Sequence, residues 1–299
     1  AVFSAVLRIG LSGFLVVCLY ALAVFALLGT AWWVLVAGSG PKGWRSFIWA
    51  RVVRDSAAET LPFSQIGGFV IGARAAVLDG IPVNTSAASM VADVTTELLA
   101  QVIYACIGVS FLAIQLRRSE AVPSTGWLAI GILAAAIIAT CFFLVQYFGG
   151  ARIRSLVTRF LPQALSHTDA VTSSLEVIYR AHGRIAASLV LHLLSWIASG
   201  AGTWIAFRLM GAQVSLTGVI AVDSLVYAVR SIGFAVPNAL GVQEAAYAVF
   251  APLLGIGPEI GLAISLIKRG RDIAIGIPVL LFWQVLEGHR AVAAARSES

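Results

Sequence analysis

Residues 85–116 read TSAASMVADVTTELLAQVIYACIGVSFLAIQL. The run is continuous and rich in Ala, Leu, Ile and Val, with no apolar/polar alternation, which predicts a helix rather than a strand. It exceeds the roughly 20 residues that cross about 30 Å of hydrocarbon. Yet it carries Asp93, Glu97, Gln101 and Tyr104. At about 100° per residue these four share an arc of roughly 80°. One polar stripe on an otherwise apolar spanning helix has to face a bundle interior or a wet cavity.

Five further apolar runs predict spans over about 9–37, 126–148, 185–209, 215–236 and 259–287. Over the whole chain 60% of residues are hydrophobic and 11% charged, far from the balance of a water-soluble domain. The expected fold is therefore all-α: one integral membrane domain over 1–299, a polytopic helix bundle of about six full spans. The first run is longer than the h-region of a signal peptide and is expected to be a mature helix. The three cysteines, Cys18, Cys106 and Cys141, lie in apolar runs without pairing or metal spacing, and His167, His182, His192 and His289 are scattered. Packing is the expected role of all seven.

The net charge of +6 is first a topology signal. Lys42, Arg45, Arg51, Arg54 and Arg74 in 42–80, and Arg152, Arg154, Arg159, Arg180 and Arg184 in a hydrophilic loop at 149–184, predict that both regions are cytoplasmic. Residues 42–60, with Trp44, Phe47 and Trp49, resemble an interfacial helix with aromatic anchors.

Two short apolar segments are interrupted by Pro and Gly: LPFSQIGGFVIGARAAVLDG at 61–80 and PNALGVQEAAYAVFAPLLGI at 237–256. They predict two re-entrant or broken-helix hairpins, which need protein or water over their backbones. The segments align at an offset of 175 residues: Pro62 falls on Pro237, Gly80 on Gly255, Asp93 on Lys268 and Glu97 on Asp272, with Arg54 and Arg230 in register within one residue. This suggests an internal repeat, with units over about 45–116 and 220–290. Charge counting sets both hairpins on one side, so the repeat is expected to be parallel.

A charge at the middle of a membrane helix costs about 2.5–3.5 kcal/mol on insertion scales. Asp93, Glu97, Asp223, Glu244 and Asp272 nearly balance Arg230, Lys268, Arg269 and Arg271. Two readings follow. The charges form an ion-pair network that locks the bundle, or they line a polar cavity for a lipid headgroup, with Arg230, Lys268 and Arg271 as anion binders. The hairpins add Ser64, Gln65 and Arg74, and Asn238, Gln243 and Glu244, while Gly67, Gly68 and Gly241 allow close backbone approach to a ligand. No Walker A sequence, GxSxG elbow or HExxH is present, so nucleotide-driven transport, hydrolase chemistry and a metal site are not expected. No cofactor is expected. The basic patches flank spans and fit anionic lipid better than nucleic acid.

The stretches LPFSQIGGFVIGARAAVLDGIP, PNALGVQEAAY and SLIKRGRDIAIGIPVLLFWQ resemble the hopanoid-biosynthesis-associated integral membrane protein family. That family is related to the transmembrane, flippase-like region of lysylphosphatidylglycerol synthases. The resemblance covers roughly 45–290. It implies a bacterial inner-membrane, multi-pass protein that moves or binds envelope lipids, with hopanoid or anionic phospholipid as partner and lipid-synthesis or transport proteins as neighbours. It points to Gln65, Gly67, Gly68 and Arg74 in the first motif, and to Pro237, Gly241, Glu244, Lys268, Arg271 and Asp272 in the second. No segment here matches the aminoacyl-transfer domain of those synthases, so a synthase activity is not expected. The alternatives are a membrane-embedded headgroup transferase and a non-catalytic scaffold for lipid-synthesis enzymes.

Overall fold

The long apolar runs fold as helices because a buried or lipid-facing backbone must satisfy its hydrogen bonds within its own segment. The computed structural model describes residues 2–37, 43–61, 64–117, 168–232 and 239–297. Every regular element among them is helical. In order they are α1 (Val2–Arg8), α2 (Gly10–Val36), α3 (Trp44–Thr60), α4 (Ser64–Leu78), α5 (Val83–Arg117), α6 (Thr168–Arg180), α7 (His182–Leu209), α8 (Leu216–Ile232), α9 (Val242–Phe250), a 3-10 turn (Ala251–Leu254) and α10 (Pro258–Ser297).

Among the described residues, three helices are long and apolar enough to cross a membrane: Gly10–Val36, Val83–Ile114 and His182–Leu209. They fall on the expected runs at 9–37, 85–116 and 185–209. The run at 126–148 lies outside the described residues. Leu11, Leu15, Leu19 and Leu22 stand exposed along α2, and Ile273, Ile277, Leu281 and Val285 along α10. Such contiguous apolar ridges suit lipid, not water. The chain is an integral membrane protein.

Side-chain contacts fix the helix directions. Tyr20 of α2 donates to the Ala198 carbonyl of α7 at 2.9 Å, while Gly13 faces Leu209, so these two helices run antiparallel. α2 and α3 are antiparallel too, with Gly29 against Ile48 and Trp32 edge-on to Phe47 at 5.3 Å. α5 runs parallel to α7: Asp93 meets His192 and Tyr104 meets Gly200. It runs antiparallel to α8, with Gln101 on Ser231 and Gly108 on Ala221 and Ser224. α10 opposes α3, through Gly276 on Ser56 and Thr60 and Trp49 on Phe282.

These directions make two helical hairpins. With the end where α2 finishes taken as the upper one, α3 descends and α4 climbs back along it, Gly68 against Ala58 and Gly72 against the Ala50 carbonyl. α8 rises from the lower end and α9 returns beside it, Gln243 on Arg230 and Tyr247 on Asp223. Each first arm is 17 residues, about 25 Å. Each hairpin leads through a glycine with positive φ, Gly80 (92°) or Gly255 (71°), into a long helix. Only a residue without Cβ takes that left-handed turn without strain.

Packing pairs come in couples. α3 packs on α10 and α8 on α5; α2 packs on α3 and α7 on α8; α6 packs on α5 and α1 on α10. Two apolar cores follow the same division. One gathers Trp32, Leu35, Phe47, Val53, Ile81 and Ile178 from α2 to α6. The other gathers Ile9, Phe207, Val222, Tyr247, Ile264 and Ile267 from α1 and α7 to α10.

Three expectations change. Residues 42–60 are not an interfacial helix: Phe47, Ala50, Val53 and Ala57 are fully buried, and Arg51 and Arg54 nearly so, because this segment is the first arm of a hairpin. The run at 215–236 supplies α8, the matching arm of the other hairpin. And the hairpins enter from opposite ends, not from one side. Charge counting misled because Arg51 and Arg54, taken as loop charges, are inside the bundle. Of the hydrophilic region at 149–184, α6 packs on α5, and residues 149–167 lie outside the described residues.

Candidate functional site

The hairpin tips meet near mid-height. Gln101 lies about 27 Å along α5, where it bonds Ser231 at the end of α8 at 2.7 Å. At the same distance along α10, Gly276 meets Ser56 and Thr60 at the end of α3. Between the tips, Arg230 of α8 pairs with Glu59 of α3. Its other branch donates to Gln243 Oε1 at 3.1 Å, and the Gln243 amide donates to Ser265 at 3.0 Å. Arg271 and Asp272 of α10 complete the group, and both lie within electrostatic reach of Glu59.

Arg271 is bound in an unusual way. Its Nε and Nη2 both donate to one oxygen, Asp272 Oδ1, at 2.8 and 2.6 Å. Asp272 is its only ion-pair partner among the described residues. Its side chain is 18% exposed, and those of Glu59 and Arg230 are 20% and 13% exposed. These three side chains are thus partly exposed, and among the described residues Arg271 Nη1 has no hydrogen-bond partner.

Two further charge clusters flank it. In the first, Arg51 and Arg54 of α3 clasp Asp93 and Glu97 of α5. Arg54 reaches Asp93 at 2.6 Å and Glu97 at 2.7 Å, Arg51 reaches Glu97 at 2.6 Å, and Asp55 holds Arg51 at 2.8 Å. His192 of α7 contacts Asp93 Oδ1 at 2.9 Å. In the second, Lys268 of α10 pairs with Asp223 of α8 at 3.1 Å and donates to Tyr247 at 2.7 Å and Thr203 at 3.2 Å. Tyr247 and Thr203 also donate to Asp223, at 2.6 and 2.9 Å. The rings of Tyr227 and Tyr247 lie 4.8 and 5.2 Å from the Lys268 ammonium, within cation–π range.

The charged and amide side chains singled out in the sequence are thus dispersed over five places. Arg230, Gln243, Arg271 and Asp272 form the central group. Asp93 and Glu97 belong to the first cluster and Lys268 to the second; Lys268 turns to Asp223, not to Asp272 one turn away. Glu244 caps α9 through the Gly241 N–H at 2.8 Å and pairs with Arg269. Arg74 stands apart, 59% exposed and paired with Glu287. Gly68 serves the close approach of α4 to α3, Gly67 has nothing near it, and Gly241, at φ 80°, turns the chain into α9. Gln65 begins α4 with its side chain outside the described residues, and Asn238 and Pro237 lie outside them too.

Sequence reasoning missed Glu59, Arg51, Arg54, His192 and Tyr247 as members of these groups. A signal existed for most of them. Arg51, Arg54, Asp55 and Glu59 share one helical face, and Ser188, His192, Ser195, Ser199 and Thr203 form a polar stripe along α7.

Against known proteins, the family described as "Lysylphosphatidylglycerol synthase TM region" matches residues 1–279. No curated protein and no solved structure matches.

Proposed function

The chain belongs to the lysylphosphatidylglycerol synthase transmembrane-region family, and from that premise we propose that it is a flippase-like translocase for envelope lipids, with its headgroup site at the meeting of the two hairpin tips. The observation that carries this reading is Arg271: a partly accessible guanidinium at mid-height, held by a single carboxylate beside an ion pair that bridges the two tips. A phosphate or another anionic headgroup group would engage Arg271 and compete with Glu59 for Arg230. Displacing Glu59 would release one tip from the other.

The coupled packing pairs support a repeat of two units, α1–α5 and α6–α10, related by a two-fold axis across the bundle. Gly80 and Gly255, and two further pairs 175 residues apart, Gln101 and Gly276 and Ser56 and Ser231, favour it. Inverted repeats with a midplane site give alternating access, since either hairpin can open the site to its own side. The basic residues Arg45, Arg180 and Arg184 gather at the upper end, which favours the cytoplasmic side of a bacterial inner membrane. Hopanoid handling is the context that the motif resemblance suggests, and the same site suits an anionic phospholipid. The chemistry assigned is binding and movement, with no covalent step.

The test is leaflet exchange of fluorescent phosphatidylglycerol in vesicles containing the purified chain. Exchange should exceed that of protein-free vesicles, and Arg271→Ala should lower it at least tenfold while Arg74→Ala changes it less than twofold. Equal exchange in wild type and Arg271→Ala, both folded, would discard the site.

A further inference from the structure

His192 is the one histidine among the described residues that lies wholly inside the bundle. Its Nε2 sits 2.9 Å from Asp93 Oδ1. Its Nδ1 is buried and has no hydrogen-bond partner among the described residues. A buried ring nitrogen left unpaired is costly and is unusual in a structural histidine.

The charges around it are unbalanced. α3 brings Arg51, Arg54 and Asp55, and α5 brings Asp93 and Glu97. Two guanidinium groups thus face three carboxylates, and a neutral His192 leaves one negative charge in excess. The other helices packed on α7 do not cancel it. From α2, Tyr20 bonds Ala198, two turns along. From α8, Tyr227 goes to Ser199 and Asp223 to Thr203. From α10, Lys268 goes to Thr203. From α6, Glu176 and Arg180 pair with each other in the open, and Tyr179 bonds Thr95. On α7 itself, His182 and Arg184 lie at its start and Arg208 in its last turn. An imidazolium at 192 brings the cluster to neutrality.

We infer that His192 is a proton-binding site that sets how firmly α5 holds the first hairpin. Asp93 is the shared element: Oδ1 faces His192, and Oδ2 accepts from Arg54 at 2.6 Å and Arg51 at 3.2 Å. A proton taken up on the imidazole strengthens its claim on Asp93 and weakens the net pull of the cluster on the two arginines of α3. The same helix carries Glu59 at the tip. A hydroxyl pair, Thr96 and Ser188 at 3.1 Å, lies beside the cluster. The proton comes from bulk water and returns to it, and no other co-reactant is needed. The proton site stands on its own geometry, and its coupling to lipid movement rests on the translocase reading above.

The test uses the full chain in lipid nanodiscs with nitrogen-15-labelled histidine. Replacing His167, His182 and His289 by Gln leaves His192 as the sole labelled signal and the buried site intact. The expected result is a pH-dependent change in the ring-nitrogen signals that Asp93→Asn alters. A ring that keeps one tautomer from pH 4.5 to 9 overturns the proposal. Leaflet exchange is then followed over the same range. A wild-type rate that changes at least threefold through the titration, and is flat in His192→Gln, supports the coupling. A titrating His192 with a pH-independent rate overturns the coupling. Titration without lipid movement in the wild type discards the translocase reading and leaves the proton site in place.

Discussion

The two flanking clusters do the same mechanical job with opposite charge placement. In the first, the hairpin arm α3 carries the bases and the long helix α5 the acids. In the second, the hairpin arm α8 carries the acid, Asp223, and the long helix α10 the base, Lys268. The first is a mesh of five charges across two helices with a histidine at its edge. The second is one ion pair wrapped by hydroxyls from Thr203 and Tyr247. Both pin a hairpin arm to its long helix. If the translocase reading holds, the locking role falls on the flanking clusters and the binding role on the central group around Arg271.

This contrast predicts unequal responses to charge removal, measured as unfolding free energy in detergent. Asp93→Ala removes three contacts with charged or ring-nitrogen partners, to Arg51, Arg54 and His192, while Glu97 and Asp55 still hold the two arginines. It should cost about 3–5 kcal/mol, at roughly 1.5–3 kcal/mol for each hydrogen bond to a charged group. Lys268→Met strands only Asp223, which keeps donors from Thr203 and Tyr247, and should cost about 1–3 kcal/mol. Removing both members, Asp223→Leu with Lys268→Met, should come within about 1.5 kcal/mol of wild type, since a well-packed apolar pair replaces a desolvated ionic one. Equal costs for Asp93→Ala and Lys268→Met would erase the distinction between mesh and wrapped pair.

The second contrast is where long helix and opposite hairpin tip touch. Gln101 fills that place on α5 with a bond to Ser231; Gly276 fills it on α10 with close backbone contact to Ser56 and Thr60. Gly276→Gln forces a side chain against α3 and should cost about 1–3 kcal/mol. Gln101→Ala loses one bond and should cost about 0.5–1.5 kcal/mol. If Gly276→Gln is as mild as Gln101→Ala, the two tips are not held equally close.

The long apolar helices and the polar stripe on α5 were legible because spanning length and helical period are local properties of sequence. What could not be read was partnership. Arg51 and Arg54 look the same in a sequence whether they face phosphates at the membrane surface or Asp93 and Glu97 in the interior. The aromatic residues beside them, Phe47 and Trp49, suggested the surface, but Phe47 packs on Trp32 inside. Lys268 and Asp272 have the spacing of partners, yet the tertiary contact with Asp223 prevails. His192 lies on the polar stripe of α7, but only the approach of α7 to α5 gives it a carboxylate.

The smallest effect belongs to Arg74, the one member of the sequence-derived set on the open surface. Its pair with Glu287 has a side chain 59% exposed on one side and 25% on the other, so solvent and salt screen it and its worth is about 0–1 kcal/mol. Val249, 175 residues on, is 67% exposed at the matching place in the other hairpin, so that arm ends in an apolar face where this one ends in a base. Arg74→Val, which makes the first hairpin like the second, should leave unfolding free energy within about 1 kcal/mol of wild type and leaflet exchange within twofold. A tenfold loss of exchange would move the headgroup path from the meeting of the tips to the outer flank of α4.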